Sequence, residues 1–389
     1  MNRLPATEPS AGKGPLDGVR ILDLTSTMSG PFCTLLLAQL GASVDKIEPP
    51  TGDVVRHLTA GKTPGMSPIY LALNGGKRSV VLDLRQEEGR AILARALPHY
   101  DVVVHNMRAS AAARLGLSRE GLDGAGSKAL LCELVGYGPG PYENVPAYDD
   151  TIQAAAGVAW VQGRGGTPEY VRNAVADKIS GMYAALGISA ALAGHRAGNG
   201  PSQVRIPMFE ALVGFTAAEQ WGGLTYEPAT GPSLYPRTAS RQRRPFATSD
   251  GYISLMLYTD KHWKAFLEFT GHHDLVEDPR FVNVSARTNN IDHVYGVAAQ
   301  ELAARTTDEW LAVFGEIDVP HAKVNSLDDL LVDEHVTAVD LFAVQDHPTE
   351  GKIRTVRSPF LIDGAPLAAL EPAPALGAHT QDFVDEFGS

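Results

Sequence analysis

The chain has 389 residues, of which 44% are hydrophobic and 20% are charged, and its formal net charge is −12. This composition is typical of a soluble globular protein and excludes disordered and fibrous chains. The acidic balance supplies no basic field for nucleic acid, so an anionic ligand needs a local cluster of Lys and Arg. The length favours two domains.

The two cysteines, Cys33 and Cys132, lie in apolar runs and lack metal-ligand spacing, which indicates buried thiols in a reducing compartment. Residues 1–14 are rich in Pro, Gly, Ser and charge, and we predict a flexible N-terminal tail rather than a signal peptide. The longest apolar stretch, around residues 181–193, is too short to span a bilayer. We therefore expect a cytoplasmic protein without metal, nucleic-acid or membrane partners.

The N-terminal half alternates short apolar runs with segments of helical periodicity. Strands are predicted at 19–24, 43–47, 79–84, 101–105 and 129–134, and helices at 32–40, 87–97, 109–115, 151–159, 177–193 and 208–220. Continuous apolar strands that alternate with helices indicate a parallel sheet covered on both faces. We predict an α/β fold with a large Rossmann-like domain and a smaller α/β domain.

A change in residue composition marks the start of the smaller domain. Residues 226–249 carry several prolines and an Arg-rich run, which is typical of a linker. We assign 15–225 to the N-terminal part of the large domain and 250–325 to the small domain, with a strand at 252–257 and helices at 261–269 and 307–314. Residues 326–389 form a return linker and the C-terminal part of the large domain, with short strands at 342–345 and 353–356.

Asp177 stands at the predicted start of an apolar helix rich in small residues. A carboxylate at a helix N-terminus is favoured by unpaired N–H groups and by the positive end of the helix dipole, so we expect Asp177 to be ionised and fixed in direction. Either an N-cap or a catalytic nucleophile satisfies this pattern.

A second candidate site is the turn Gly75-Gly76-Lys77-Arg78, which precedes a predicted strand. Its glycines allow backbone N–H groups to approach an anion, and its two cations suit a phosphate, although a solvated turn has the same composition. Asn106, Arg108 and Arg114 follow another predicted strand, at the carboxyl end where ligands of open α/β sheets bind.

Taken in order, several segments resemble the class III CoA-transferases, a family that includes formyl-CoA transferases, carnitine CoA-transferases and α-methylacyl-CoA racemases. The segments that carry the resemblance are 16–24, 30–33, 40–42, 46–50, 74–84, 136–141, 148–149, 153–154, 177–192, 250–253 and 376–380. They span nearly the whole chain, and their order and spacing are more specific than any one of them.

The resemblance implies an acyl-CoA:carboxylate CoA-transferase in which Asp177 forms an aspartyl anhydride and then an aspartyl-CoA thioester. It implies acyl-CoA and a small carboxylic acid as partners, an interlocked homodimer, and CoA as a substrate and carrier without a prosthetic group. The residues that it places around CoA and the thioester are Gly76, Lys77, Arg78, Asn106, Arg114, Ser26, Thr27, Met28 and Tyr148.

This chain departs from parts of the family pattern. Formyl-CoA transferases carry His and Gln where this chain has Ser26 and Met28, which argues against formyl or oxalyl transfer. Their glycine-rich lid is replaced by the Arg-rich stretch 237–244, and Pro49 and Pro146 stand in place of basic CoA contacts. Racemases carry His where this chain has Tyr148, a poor general base at neutral pH.

Three alternatives to intermolecular transfer therefore stay open. They are 2-methylacyl-CoA epimerisation, an intramolecular CoA shift between two carboxylates of one substrate, and a catalytically inactive relative that binds CoA.

Overall fold

The computed structural model of the protein describes residues 14–163, 166–233 and 235–388. Residues 1–13, the greater part of the predicted N-terminal tail, lie outside this range. The described chain forms two compact units. The first comprises the residues up to Val158, Tyr170–Phe215 and the residues from Thr337 onward, and the second comprises Ala159–Glu169 and Thr216–Val336.

A six-stranded parallel sheet organises the first unit. Its strands are β1 (Arg20–Leu24), β2 (Ser43–Glu48), β3 (Lys77–Val81), β4 (Val102–His105), β5 (Leu130–Val135) and β6 (Gln203–Pro207). They lie in the order β3-β2-β1-β4-β5-β6, and Ile21 of β1 stands opposite Val44 on one side and Val102 on the other. The predicted parallel sheet is confirmed, and its strand order reverses between β1 and β4, the crevice where such sheets bind ligands.

Both faces of this sheet are buried because apolar residues continue along each strand. Ile21, Val102 and Leu130 belong to one core, whereas the adjacent Leu22, Val103 and Leu131 belong to another on the opposite face. The helices of the N-terminal region are α1 (Ser29–Gln39), α2 (Pro68–Leu73), α3 (Glu87–Ala96), α4 (Ala109–Arg114), α5 (Arg119–Gly124), α6 (Asp149–Ala155), α7 (Val158–Gln162), α8 (Val175–Arg196) and α9 (Met208–Gln220). Helices α1 and α8 cover the first core, and α3 covers the second.

Three differences between the predicted and the observed elements have identifiable reasons. Strand β3 begins at Lys77, two residues before the predicted start, because the buried Lys77 ammonium pairs with Asp23. Strand β6 was not predicted, since its arginine, Arg205, interrupts the apolar pattern and pairs with Glu133 of β5. The predicted helix 151–159 is divided into α6 and α7 at Gly157, whose φ is 81°.

The second unit contains a three-stranded antiparallel sheet with helices around an aromatic core. Its elements are α10 (Pro236–Ala239), β7 (Phe246–Ala247), β8 (Tyr252–Leu255), α11 (Asp260–Phe269), α12 (His273–Val276), α13 (Val284–Asn289), α14 (Ile291–Leu302), α15 (Thr307–Glu316) and β9 (His321–Lys323). Arg237, in the stretch predicted as a linker, donates a hydrogen bond to the Tyr295 hydroxyl at 3.0 Å.

The C-terminal segment completes the chain with α16 (Glu334–Ala338), β10 (Phe342–His347), β11 (Gly351–Val356), β12 (Leu361–Ile362), β13 (Ala365–Pro366) and α17 (Thr380–Phe387). Strands β10 and β11 form an antiparallel pair, which confirms the two short strands predicted there. Helix α17 buries Phe383 and Phe387 in the core beside α3. Within the described ranges, no helix is both long and apolar enough to cross a membrane.

Candidate active site

Helix α8 is capped by a residue from a distant part of the chain. Its N-cap position is Ala174, so Asp177 is the third helical residue, which excludes the N-cap alternative for Asp177. The N–H groups of Ala176 and Asp177 instead donate to Asp149 Oδ1 at 2.7 and 3.1 Å. Asp149 therefore supplies the acceptor that the first turn of a helix requires.

Asp149 is held for this role by its own helix. It is the first residue of α6, and its second carboxylate oxygen accepts a hydrogen bond from Gln153 Nε2 at 2.6 Å. Gln153 Oε1 in turn accepts from the Val171 N–H at 2.9 Å, which ties down the segment that leads into α8. Both oxygens of Asp149 are thus occupied by structural contacts.

The Asp177 carboxyl group has a different environment. It is 9% exposed, and within the described part of the chain no hydrogen bond reaches its side-chain oxygens. Burial, followed by the negative charge of Asp149, raises its pKa to about 7, although Lys178 acts in the opposite direction. The expectation of a readily ionised carboxylate is not supported, because burial beside another acid disfavours the charged form of Asp177.

Asp177 lines a cleft of about 230 Å³ in the first unit. The cleft lies at the carboxyl ends of β1, β4 and β5, which includes the point where the strand order reverses. Its other lining residues are Ser26, Thr27, Ser29, Asn106, Met107, Arg108, Ala109, Leu134, Val135, Gly136, Tyr137, Glu143, Asn144, Val145, Pro146, Ala147, Tyr148, Arg205 and Met208.

Close packing of α8 against α1 places Asp177 at this cleft. A Cβ atom at Gly181 would lie 2.6 Å from the Ser29 carbonyl oxygen, a separation that side chains do not tolerate. Because Ser29 begins α1 and also lines the cleft, this contact fixes one wall of the cleft relative to the helix that carries Asp177.

Four of the predicted CoA-site residues meet Asp177 at the cleft: Ser26, Thr27, Asn106 and Tyr148. Asn106 forms two hydrogen bonds with the Ser26 backbone: its Oδ1 accepts from the Ser26 N–H at 3.1 Å, and its Nδ2 donates to the Ser26 carbonyl at 2.8 Å. Tyr148 is exposed and occupies the N-cap position of α6, directly before Asp149.

The other five predicted residues lie outside the cleft lining. Met28 packs beside a core that contains Val55 and Tyr70, and Gly76 donates its N–H to the Glu371 carbonyl at 2.8 Å. Arg78 is 36% exposed along its side chain and lies 3.2 Å from an Asp45 oxygen. Arg114 is exposed at the end of α4.

Lys77 is enclosed by protein rather than open to a ligand. Its Nζ donates to Pro31 O at 2.9 Å, to Asn74 Oδ1 at 3.0 Å and to Asp23 Oδ2 at 3.3 Å. Burial lowers its pKa to about 8, against the attraction of Asp23. The ammonium therefore stabilises the start of α1 from within the core.

Two arginines also line the cleft. Arg108 follows Asn106 by two positions at the carboxyl end of β4, the placement that the sequence indicated for a ligand site, whereas Arg205 was not selected from the sequence. Arg205 comes from the unpredicted strand β6 and lies 2.9 Å from Glu133 and 3.8 Å from Glu143. No group of His, Cys, Asp and Glu among the described residues is arranged to hold a metal ion.

Comparison with known proteins assigns the chain to an enzyme class. The family model described as CoA-transferase family III matches residues 16–380. The chain belongs to this family and is a CoA-transferase, as the resemblance predicted, and the family uses CoA as a substrate.

The curated relatives include enzymes with different substrates. The chain is 30% identical to a probable fatty acyl-CoA transferase of Mycobacterium tuberculosis, over 98% of this chain and 99% of the relative. It is 28% identical to a formyl-CoA:oxalate CoA-transferase of Afipia carboxidovorans, over 95% and 92% of the two chains. A (R)-2-hydroxy-4-methylpentanoate CoA-transferase of Clostridioides difficile is 27% identical, over 96% of this chain and 95% of that one.

Solved structures share the fold across the full length. The orthorhombic crystal form of the Mycobacterium tuberculosis protein Rv3272 gives a TM-score of 0.81 at 27% identity, covering 95% of this chain and 99% of that chain. A CAIB/BAIF family protein from Brucella suis also gives 0.81 at 27% identity, with 97% and 100% covered.

Proposed function

We propose that this protein transfers CoA from an acyl-CoA to a carboxylic acid, with Asp177 as the nucleophile. The observation that carries the proposal is the Asp177 carboxyl group itself, which is buried in the cleft and has no hydrogen-bond partner in the described chain. A structural carboxylate at this depth would normally be paired. An unpaired one suits a group that forms a covalent bond to substrate.

In the first half of the proposed reaction, an Asp177 oxygen attacks the thioester carbonyl of the acyl-CoA. The carbon–sulfur bond breaks, CoA leaves as a thiolate, and an aspartyl anhydride forms. The thiolate then attacks the Asp177 carbonyl of the anhydride, which gives an aspartyl-CoA thioester and releases the acid. One Asp177 oxygen leaves in that acid.

The second half runs in reverse with a different acid. The acceptor carboxylate attacks the aspartyl thioester and expels CoA thiolate, which forms a second anhydride. The thiolate then attacks the acceptor's carbonyl, so the new acyl-CoA departs and Asp177 regains its carboxylate with one oxygen from the acceptor. Water must be excluded throughout because anhydrides hydrolyse readily, and the burial of Asp177 supports this requirement.

The different contacts of Asp149 and Asp177 support a covalent role for Asp177. Asp149 takes over the capping of α8, which leaves the Asp177 oxygens available to substrate. Epimerisation needs a general base beside the substrate, whereas Asp149 has both oxygens occupied and the neighbouring Tyr148 is a phenol. These contacts favour transfer over epimerisation.

For CoA itself, we propose that Ser26, Thr27, Asn106 and Tyr148 border the thioester end of the molecule. Arg78, Arg108 and Arg114 are cations accessible to its phosphates, and Gly76 lies two residues before Arg78, in the turn that leads into β3. Lys77 has a structural role instead, since its ammonium donates hydrogen bonds to Asp23, Pro31 and Asn74. Met28 takes part through the backbone of the loop that it shares with Ser26.

The proposed substrate class rests on the two residues that differ from the formyl-CoA transferases. With Ser26 and Met28 in place of His and Gln, the cleft lacks the imidazole and the amide of that pattern, so we propose a donor other than formyl-CoA or oxalyl-CoA. The named activities of the relatives, which extend to fatty acyl and branched hydroxyacyl groups, support a screen over a wide range of acyl chains.

We further propose that the enzyme is a cytoplasmic homodimer of the interlocked type. Support comes from the exposed apolar residues Met182, Tyr183 and Leu186 on one helix, α8. The two free cysteines are fully buried, as predicted, which suits a reducing compartment. Sedimentation of the active enzyme as a monomer would contradict the dimer.

The experiment is a screen of acyl-CoAs against pooled carboxylic acids, read by mass spectrometry, with Asp177→Ala and the exposed neighbour Asp150→Asn as a matched pair. We expect new acyl-CoAs with the native protein and with D150N, and none with D177A. Full turnover by D177A would reject the mechanism, and tight CoA binding without transfer would indicate an inactive relative.

A further inference from the structure

The loop after β1 is held at three consecutive residues by side chains from other parts of the first unit. The Thr25 carbonyl accepts a hydrogen bond from Lys46 Nζ at 2.8 Å, and Asn106 binds both backbone polar groups of Ser26. The Thr27 N–H donates to Asp53 Oδ1 at 3.0 Å. So many external contacts on three residues indicate a conformation that the loop does not adopt by itself.

Thr27 shows what these contacts enforce. Its φ is 71°, in the left-handed region that β-branched residues avoid. Such a conformation is strained and persists where the surroundings impose it. Because Thr27 also lines the cleft that contains Asp177, the strain is located at the candidate active site.

Asp53 is built into the protein as a rigid anchor for Thr27. It is 2% exposed, and its Oδ2 forms a 2.9 Å ion pair with the equally buried Lys46. Its own N–H donates to Glu48 Oε2 at 2.9 Å, and Glu48 is fixed by the buried Arg56 at 2.7 Å. Strand β2, which carries Lys46 and Glu48, therefore holds the loop in place through Asp53.

We propose that Asp53 is a positioning residue for CoA transfer: paired with Lys46, it holds Thr27 in the left-handed conformation and so fixes the wall of the cleft that Thr27 shares with Asp177. Asn106 acts in the same way on Ser26. The inference rests on the proposed function and adds to it a pair of positioning residues outside the cleft, since Asp53 and Lys46 do not line it.

Two substitutions of Asp53 separate positioning from general stability. Asp53→Ala removes the acceptor for the N–H groups of Thr27 and Val55, whereas Asp53→Asn retains that acceptor oxygen and replaces the oxygen that pairs with Lys46 by an uncharged NH2 group. Both leave Lys46 without its ion pair and lower the thermal stability. At a temperature where each variant is folded, we expect kcat of D53A to fall about tenfold to a hundredfold and that of D53N to fall much less.

A double-mutant cycle with Thr27→Gly provides a readout that loss of stability would not move. Glycine adopts the left-handed region without strain, so the anchor should matter less in its presence. We expect D53A to lower kcat less than about threefold when it is introduced into T27G. An equal loss in both backgrounds, or equal activity of D53A, D53N and the native protein, would overturn the proposal.

Ser127→Ala is the control for stability, because Ser127 is equally buried, bonds to Leu97 O and Ala129 N, and lies away from the cleft. It should lower the melting temperature and leave kcat per folded molecule unchanged. Should D53A not fold, Asp53→Ser replaces it in the same cycle with T27G, with the same expected and contradicting outcomes. If the native protein transfers no CoA in the screen, the proposed function fails; if it does and D53A matches it, the positioning role alone fails.

Discussion

Asp149 caps the helix that carries Asp177. Its Oδ1 accepts hydrogen bonds from the N–H groups of Ala176 at 2.7 Å and of Asp177 at 3.1 Å, while the Asp177 carboxyl group is left without a hydrogen-bond partner in the described chain. Asp149 thus serves the fold, and the Asp177 oxygens are left available for the proposed reaction. The negative charge of Asp149 also helps to raise the pKa of Asp177.

The first prediction concerns the pH dependence of activity. In the proposed mechanism Asp177 attacks as the carboxylate. Because its pKa is raised to about 7, kcat/KM should increase as the pH rises through 7 and level off above it. Initial rates between pH 5 and 9, with the acyl-CoA and acid identified in the screen, measure this profile. A profile that is flat across pH 7 would contradict the assignment.

Asp149→Asn tests the electrostatic part of that profile. The amide oxygen can still accept from the N–H groups of α8, but the negative charge beside Asp177 is gone. Because burial is the larger cause of the raised pKa and Asp149 the smaller, the acidic limb of the profile should move partway to lower pH. The same limb at the same pH in both proteins would show that Asp149 has no electrostatic influence on catalysis.

The second consequence of the raised pKa is a cost in stability. Between the pKa of an unfolded Asp, about 4, and the value near 7, the folded state binds more protons, so the contribution of Asp177 to the free energy of unfolding decreases as pH rises. Asp177→Asn removes this cost. We expect its stability relative to the native protein to increase from pH 4 to pH 7, by at most about 4 kcal/mol, and then to stay constant.

Urea unfolding of D177N and the native protein at pH 4, 5.5, 7 and 8 measures this difference, since contributions from other groups cancel in the comparison. A difference that does not change with pH would mean that Asp177 is not desolvated in solution.

Removal of the cap is a separate prediction. Asp149→Ala leaves the N–H groups of Ala176 and Asp177 without their acceptor, which should cost about 0.5–2 kcal/mol of stability. Because the helix start also positions Asp177, D149A should lose more activity than D149N at a temperature where both are folded. Equal activity of the two variants would show that the cap does not position Asp177.

The contact between α1 and α8 gives a further test. Gly181→Ala brings a Cβ atom to 2.6 Å from the Ser29 carbonyl, so the two helices must separate, and we expect a loss of about 1–3 kcal/mol together with reduced kcat. Gly214→Ala in α9 is the control, since no atom lies within 4 Å of its added Cβ and alanine favours the helix. A stability loss in G214A as large as in G181A would contradict the packing argument.

The alternation of strands and helices could be predicted from the sequence because apolar residues continue along β1, β4 and β5. Strand β6 could not be predicted, since Arg205 enters the sheet only by pairing with Glu133 of the neighbouring strand. The same limit applies at β3, where the burial of Lys77 depends on Asp23, more than fifty residues earlier in the chain. Charged residues inside strands are paired through tertiary contacts that local patterns do not contain.

For the site, the position of Asp177 near a helix start could be predicted, but its protonation could not. The pKa depends on Asp149, which lies 28 residues away and reaches α8 only in the folded chain. Likewise, the resemblance supplied Asn106 as a CoA contact, whereas its bonds to the Ser26 backbone emerge only from the structure.

The most direct test of covalent catalysis by Asp177 follows an oxygen atom. Trypsin releases residues 173–178, a peptide in which Asp177 is the only side-chain carboxylate. After turnover with an acceptor acid labelled with oxygen-18, this peptide should carry the label at Asp177, and the acid released in the next turnover should acquire it. Transfer of CoA with an unlabelled Asp177 peptide would contradict the mechanism.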